Sequence, residues 1–229
     1  MQYAWFIWSL IGLGIWLMIY LARYSYRREM LHISLATMFF GLTEPLFVPQ
    51  YWNPPSLFDL AQQTGFDIES FIFSFSIGGI GHSLYYFVYP VKMIEMGGSE
   101  RQHRRHRLHY YLLLSPAMIF LFLAVFTKLN HIYCGVISLF AGALATLYCR
   151  SDLKVKLWAG GTLFLSLYFI YFDSLLLFFP DFVSQHWNLE ALTGILILGI
   201  PLEELLFAFS FGMYWSSLYE HFTWRKLIR

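Results

Sequence analysis

Charge is what this chain has least of. Asp, Glu, Lys and Arg make up 13% of its 229 residues, against 58% hydrophobic and 21% aromatic. A soluble globular chain is about a quarter charged, so the composition reads as an all-α polytopic membrane protein. Cysteine is nearly absent: Cys134 and Cys149 share one apolar segment, too far apart along a helix to bridge, and read as lipid- or core-facing thiols. No glycine-rich phosphate loop is present. Gly78, Gly79 and Gly81 lie inside an apolar run instead of between a strand and a helix, which suits close helix packing and leaves no flavin or nicotinamide fingerprint. No lysine falls between Lys156 and Lys226, so the last helix has none for a retinal Schiff base. Aspartate-rich repeats that would hold a diphosphate through magnesium are missing. No cofactor, metal or nucleic-acid partner is expected.

What is there is long apolar runs. A helix needs about 20 apolar residues to cross the hydrocarbon core. Seven segments qualify: 3–22, 29–48, 68–90, 109–128, 131–149, 156–179 and 197–220. The first has its positive charges after the apolar run and no convincing small-residue cleavage site, so it reads as a retained helix, not a signal peptide. The loops alternate in charge. Arg23, Arg27 and Arg28 follow the first segment; Lys92, Arg101, Arg104, Arg105 and Arg107 follow the third. Arg150, Lys154 and Lys156 follow the fifth, and Arg225, Lys226 and Arg229 close the chain. The other loops hold almost none, Lys128 excepted. The positive-inside rule then puts the N-terminus outside and the C-terminus in the cytoplasm of a cell (plasma or inner) membrane.

The chain also repeats itself. GFDIESFIFSFSIG at 65–78 lies under GIPLEELLFAFSFG at 199–212, matching Glu69 to Glu203 and Phe73 to Phe207. Upstream, Trp52-Asn53 pairs with Trp187-Asn188. Glu44 precedes the first pair and Asp173, more loosely, the second. This predicts two parallel three-helix repeats, 1–92 and 129–229, joined by a basic loop and linking helix at 93–128. The orientation brings Glu44, Asp173, Glu69, Glu203 and Glu204 to one depth in the non-cytoplasmic half of the bilayer.

Pro201 and the two glutamates after it could simply open a helix, with carboxylates facing the positive end of its dipole. Asp67, Glu69 and Ser70 read equally as caps. Asp173 has no such role, and intramembrane acids are functional candidates. Crowded buried carboxylates cannot all ionise, so a neutral acid beside an ionised one can act as general acid and base. Aromatic faces nearby, Phe71, Phe73, Tyr51, Trp52, Trp187, Phe207 and Phe209, could stabilise a carbocation, although Trp and Tyr collect at membrane interfaces anyway. His103, His106 and His109 read as a solvated basic loop touching anionic lipid, without the further histidine boxes of a di-iron enzyme.

Pro201-Leu202-Glu203-Glu204 followed by Phe207, with Asp173 in the preceding helix, resembles the flavin-independent membrane lycopene cyclases. These occur as two three-helix subunits or one fused chain, each half opening its third helix with Pro-x-Glu-Glu/Asp. The resemblance implies that a carboxylic acid protonates a terminal double bond of lycopene, the neighbouring double bond closes a six-membered ring, and a base removes a proton. It implies Glu203 and Glu204 as the acid/base pair, Asp173 as their partner, and Glu69 and Glu44 as first-copy counterparts. Trp52, Trp187, Asn53, Asn188, Phe73 and Phe207 would line the site of a carotenoid drawn from the bilayer. The first copy departs from the pattern, with Asp67-Ile68-Glu69-Ser70 in place of the proline and second carboxylate. The 199–212 copy is therefore expected to carry the proton chemistry and the 65–78 copy to shape the chamber. A proton-coupled transporter, a non-catalytic carotenoid-binding protein and a homo-oligomer are left open.

Overall fold

The computed structural model describes residues 3–228. Among the described residues, seven long helices follow one another: α1 (Ala4–Ala22), α2 (Arg27–Met38), α3 (Ile68–Val88), α4 (His109–Phe126), α5 (His131–Cys149), α6 (Lys154–Phe178) and α7 (Leu202–Thr223). Among the described residues, six stretches are long and apolar enough to cross a membrane: Ala4–Ala22, Tyr24–Phe47, Ile68–Val88, Arg104–Phe126, His131–Cys149 and Ser151–Phe178. The protein is thus a mostly helical, multi-pass membrane type. α7 is 22 residues long but carries Glu203, Glu204 and Glu220. Most of its residues, Leu206 and Phe222 excepted, are turned away from the surface, which is where a membrane helix with polar groups must sit.

α3 and α7 pack together at the centre. α1 and α2 flank α3, α5 and α6 flank α7, and α4 lies outside against α5. Glycine permits the tightest of these approaches: a Cβ on Gly212 would sit 2.8 Å from the Gly160 carbonyl oxygen, so α6 and α7 meet backbone to backbone. On the other side, any Cβ on Gly78 would run into Thr37.

Helix ends follow local chemistry. The Asp67 side chain accepts the Ser70 N–H and caps α3, and Asn130 Oδ1 accepts the Ile132 N–H at 3.2 Å to cap α5. α2 loses regular geometry at Phe39, where a 3-10 stretch Phe39–Thr43 leads into the turn Glu44–Phe47. Two small antiparallel sheets close the loops. β1 (Lys92–Glu95) pairs with the chain end β4 (Arg225–Ile228). β2 (Leu196–Ile197) pairs with β3 (Ile200–Pro201) across Leu198-Gly199, both at positive φ, as a two-residue hairpin requires. Pro201 therefore ends a strand and stands just before α7, one position earlier than the helix start expected for it.

Two charges counted in the loops are not solvated. Lys156 is fully buried in α6, with Nζ 2.8 Å from Glu220 Oε1 and 3.9 Å above the Tyr86 ring. Arg150 is fully buried as well. It holds Asp152 in a fork at 2.9 and 2.7 Å and caps the Glu220 and Arg225 carbonyls at 2.9 and 2.6 Å. Sequence order hides the Lys156 pairing because Glu220 reaches it only through the close packing of α6 on α7.

Candidate active site

The loops before α3 and α7 meet. Trp52 and Trp187 form an antiparallel bridge; the Asn53 N–H donates to the His186 carbonyl at 2.7 Å and the Asn188 N–H to the Tyr51 carbonyl at 2.9 Å. The two tryptophan rings lie 5.1 Å apart between centroids. Trp5 adds an edge contact to Trp52 at 4.9 Å. Both asparagines are exposed, and the Asn188 side chain donates outward to the Gln50 carbonyl at 3.3 Å. They therefore hold the loops together at the rim, while the tryptophan rings face inward.

Beneath this aromatic lid, beside the capping Asp67, lie the buried carboxylates of Glu44, Glu69, Glu203 and Glu204. Glu204 is fully engaged. Its Oε1 accepts the Tyr51 hydroxyl at 2.5 Å and Trp187 Nε1 at 3.1 Å, and its Oε2 accepts the Tyr168 hydroxyl at 2.5 Å. Burial, then the adjacent Glu204 carboxylate, hold the Tyr51 hydroxyl well above its ordinary pKa, so Tyr51 stays a donor. Glu203 is held on one side only. Its Oε1 accepts the Tyr133 hydroxyl at 2.6 Å and the Thr193 N–H at 2.9 Å, while Oε2 is buried without a partner.

The carboxylates at and before the start of α3 are held in a partly similar way. Glu69 Oε1 accepts the Leu57 N–H at 2.8 Å, and its Oε2 is buried and unpartnered. Glu44 Oε2 accepts the Ser70 hydroxyl at 2.9 Å, with Oε1 unpartnered. So Glu69 and Glu203 do the same local job, each pinning the loop that precedes its helix. Ser70 stands where Glu204 stands and reaches Glu44. Among the described residues, no Lys or Arg forms an ion pair with any of the four.

Asp173 stands apart. It is half-buried on α6 and makes no hydrogen bond to Glu203 or Glu204 among the described residues. The α6 side chain that does reach the pair is Tyr168, more than one turn earlier. Phe73 lies beside Tyr168, with centroids 6.5 Å apart, and both line a cavity of about 20 Å³ between α1, α3 and α6. Phe207 stacks on Phe211 at 5.5 Å, further along α7. A second, open groove of about 620 Å³ runs between α6 and α7, lined by Leu165, Phe169, Leu202, Leu205 and Phe209 among others. Neither glutamate lines it.

The sequence reading missed Tyr133 and Tyr168 and gave Tyr51 only a ring-face role. A phenol within an apolar segment needs a hydrogen-bond partner, and that signal points to Tyr168, in mid-helix, and more weakly to Tyr133, in the first turn of α5.

Fold and site define a helical membrane protein whose buried, uncompensated carboxylates sit among phenols and indoles under a lid made by both halves. Residues 130–222 match the lycopene cyclase family. That segment spans α5, α6 and nearly all of α7, and holds Glu203, Glu204 and the Tyr133, Tyr168 and Trp187 donors. The match supports a lycopene cyclase-like role and an enzyme of the cyclase type. No curated protein and no solved structure is significantly similar to the chain.

Proposed function

We propose that this protein is an integral membrane carotenoid cyclase that converts a lycopene-type polyene end to a ring by carboxylate acid–base chemistry. The observation that carries the reading is the contrast between two adjacent buried glutamates. Three donors occupy both oxygens of Glu204, while one oxygen of Glu203 has no partner. A carboxylate saturated by donors is held as an anion suited to stabilising a nearby cation, and a carboxyl with a bare oxygen can carry the proton. Glu203 delivers that proton to the terminal double bond, and the adjacent double bond attacks the cation to form the ring bond. The Glu203–Glu204 pair, one proton short, then takes a proton from the ring carbon beside the cation, which forms the ring double bond and restores the acid; one proton enters, one leaves, and no electrons are exchanged.

The substrate comes from the bilayer and enters between the two halves, beside Phe73, Tyr168 and the Trp52–Trp187 pair. The cavity there, about 20 Å³, is smaller than a six-membered ring, so binding must part α3 from α6. The two halves act as parallel copies of one unit, joined by α4. The acids lie in the non-cytoplasmic half of a cell membrane, with the C-terminus cytoplasmic. Glu203 and Glu204 do the chemistry; Glu44 and Glu69 build the opposite wall.

The test is expression in a lycopene-accumulating cell, with pigments separated by chromatography. Wild-type protein should yield cyclised carotenoid. Glu203→Gln and Glu204→Gln should accumulate lycopene while the protein stays folded and membrane-bound. Unchanged lycopene with folded wild-type protein overturns the reading.

A further inference from the structure

At the other end of α7 a second polar cluster forms, about 27 Å along the helix from Glu203 at 1.5 Å per residue. His106 ends the 3-10 turn Arg104–His106, His109 opens α4, and Cys149 ends α5. His106 Nδ1 lies 3.3 Å from Cys149 Sγ, and His109 Nδ1 lies 3.5 Å from the same sulfur. One ligand atom from each of the three residues falls within 4.8 Å of the others. His103, first in the histidine spacing, is not part of the cluster; it is exposed and accepts the Arg105 N–H at 3.3 Å. The loop is therefore not uniformly solvated, as the sequence suggested: His109 is 2% exposed and Cys149 1%.

We propose that His106, His109 and Cys149 bind one zinc ion. In tetrahedral coordination with Zn–N about 2.05 Å and Zn–S about 2.3 Å, nitrogen and sulfur ligands stand about 3.6 Å apart. The two observed nitrogen–sulfur separations are within a few tenths of an ångström of that edge. Two imidazoles and a thiol make poor hydrogen-bond partners for one another, because S–H is a weak donor and sulfur a weak acceptor. Burying them together without strong partners is costly, and a metal ion supplies the missing interaction. A nitrogen and thiolate set suits zinc among the common cellular divalent ions. Arg150, the neighbour of Cys149 in sequence, is neutralised by the Asp152 fork.

The surroundings fix the ligands. His109 stacks on Trp224 with centroids 3.6 Å apart and planes 13° from parallel. Trp224 is presented by the left-handed turn, φ +56°, that ends α7. His221 packs edge-on against His109 at 4.5 Å. The half-exposed His106 leaves the fourth position on the solvent side. Such an ion ties the basic loop and the starts and ends of α4, α5 and α7 into one unit, clamping the peripheral α4 to the second half. It takes no part in the chemistry at Glu203.

The experiment uses the full chain, purified in detergent with a tag that contains no histidine run. Zinc is counted by mass spectrometry, and the apoprotein is titrated with Zn²⁺ and with Co²⁺. Zinc near one per chain is expected, with a Co²⁺ spectrum showing intense tetrahedral d–d bands and a thiolate-to-metal charge-transfer band. Cys149→Ser should abolish the charge-transfer band, and Cys134→Ser should leave it unchanged. His106→Ala, at a half-exposed position that tolerates truncation, should weaken Zn²⁺ by more than about 10-fold, since losing even an outer-shell partner costs about that much. Absence of stoichiometric zinc binding, or Co²⁺ and Zn²⁺ binding unchanged in His106→Ala, overturns the proposal.

Discussion

The Tyr51 hydroxyl of the first half donates to Glu204 Oε1 of the second at 2.5 Å, opposite the Tyr168 hydroxyl on Oε2 at the same distance. Neither half can build this carboxylate's environment alone. If Glu204 works as an anion, each phenol contributes a hydrogen bond to a charged group, worth about 1.5–3 kcal/mol. Tyr51→Phe and Tyr168→Phe should each lower the conversion rate by about 10- to 100-fold, at 1.36 kcal/mol per factor of ten. The two effects should be strongly non-additive, because both act through one carboxylate. Rates are read by single-turnover conversion in vesicles, with thermal melts in parallel. A fall in stability with an unchanged rate for the folded fraction would assign the phenols a purely structural role.

At the other end of the bundle, Lys156 and Glu220 form a pair buried on both sides, 2.8 Å apart. Tyr86 donates to the same Glu220 oxygen. Breaking a buried pair by removing one partner leaves an uncompensated charge and costs about 3–5 kcal/mol, while replacing both by apolar groups is often neutral. Lys156→Met and Glu220→Leu should each cause a large drop in melting temperature in detergent. The double variant should recover most of it. A double variant as unstable as the worse single one would show that the pair gives more than charge compensation.

Much of this was legible in the sequence, and the limits have physical reasons. Apolar run length marked the helices because a bilayer demands about 20 residues. Glu69 aligned with Glu203 because both pin a loop at the same helix turn, and the Trp-Asn repeats marked two loops that pair. What a one-dimensional reading could not supply was rotation about the helix axes. Asp173 and Tyr168 share a helix and a depth range, yet only Tyr168 faces Glu204. Lys156 lay near a loop in sequence, yet α6 turns it inward onto Glu220. The histidine spacing read as a solvated loop, because the sulfur that lies against His106 and His109 comes from Cys149, some 40 residues on.

The lid should carry a pH dependence of its own. His186 Nδ1 lies 3.1 Å from the Asn53 carbonyl oxygen, and its backbone carbonyl accepts the Asn53 N–H. Burial lowers the His186 pKa below its ordinary 6.5, partly opposed by the Asn53 carbonyl. A histidine whose folded pKa is depressed takes up its proton more readily unfolded. The lid is therefore favoured above about pH 6.5 and weakened as pH falls through that value. Between pH 8 and pH 5, quenching of Trp52 and Trp187 fluorescence by a water-soluble quencher should rise. His186→Gln should flatten the profile between pH 7 and pH 5. An identical profile in His186→Gln would move the titration to another group.

Glu69 and Glu203 offer the sharpest separation of scaffold from chemistry. Each uses Oε1 to accept a backbone N–H from the preceding loop, Leu57 at 2.8 Å and Thr193 at 2.9 Å, and each leaves Oε2 buried without a partner. Glutamine keeps a carbonyl oxygen for that N–H but cannot deliver a proton. If Glu69 is an anchor, Glu69→Gln should fold and cyclise at close to the wild-type rate, while Glu69→Ala should destabilise the lid. Glu203→Gln should fold equally well but lose about 10²- to 10⁴-fold in rate, the usual contribution of a general acid. Matched losses in the two glutamine variants would instead make both halves catalytic. A Glu203→Gln that cyclises normally would transfer the proton to another carboxyl, with Glu44, whose Oε1 is also unpartnered, next to test.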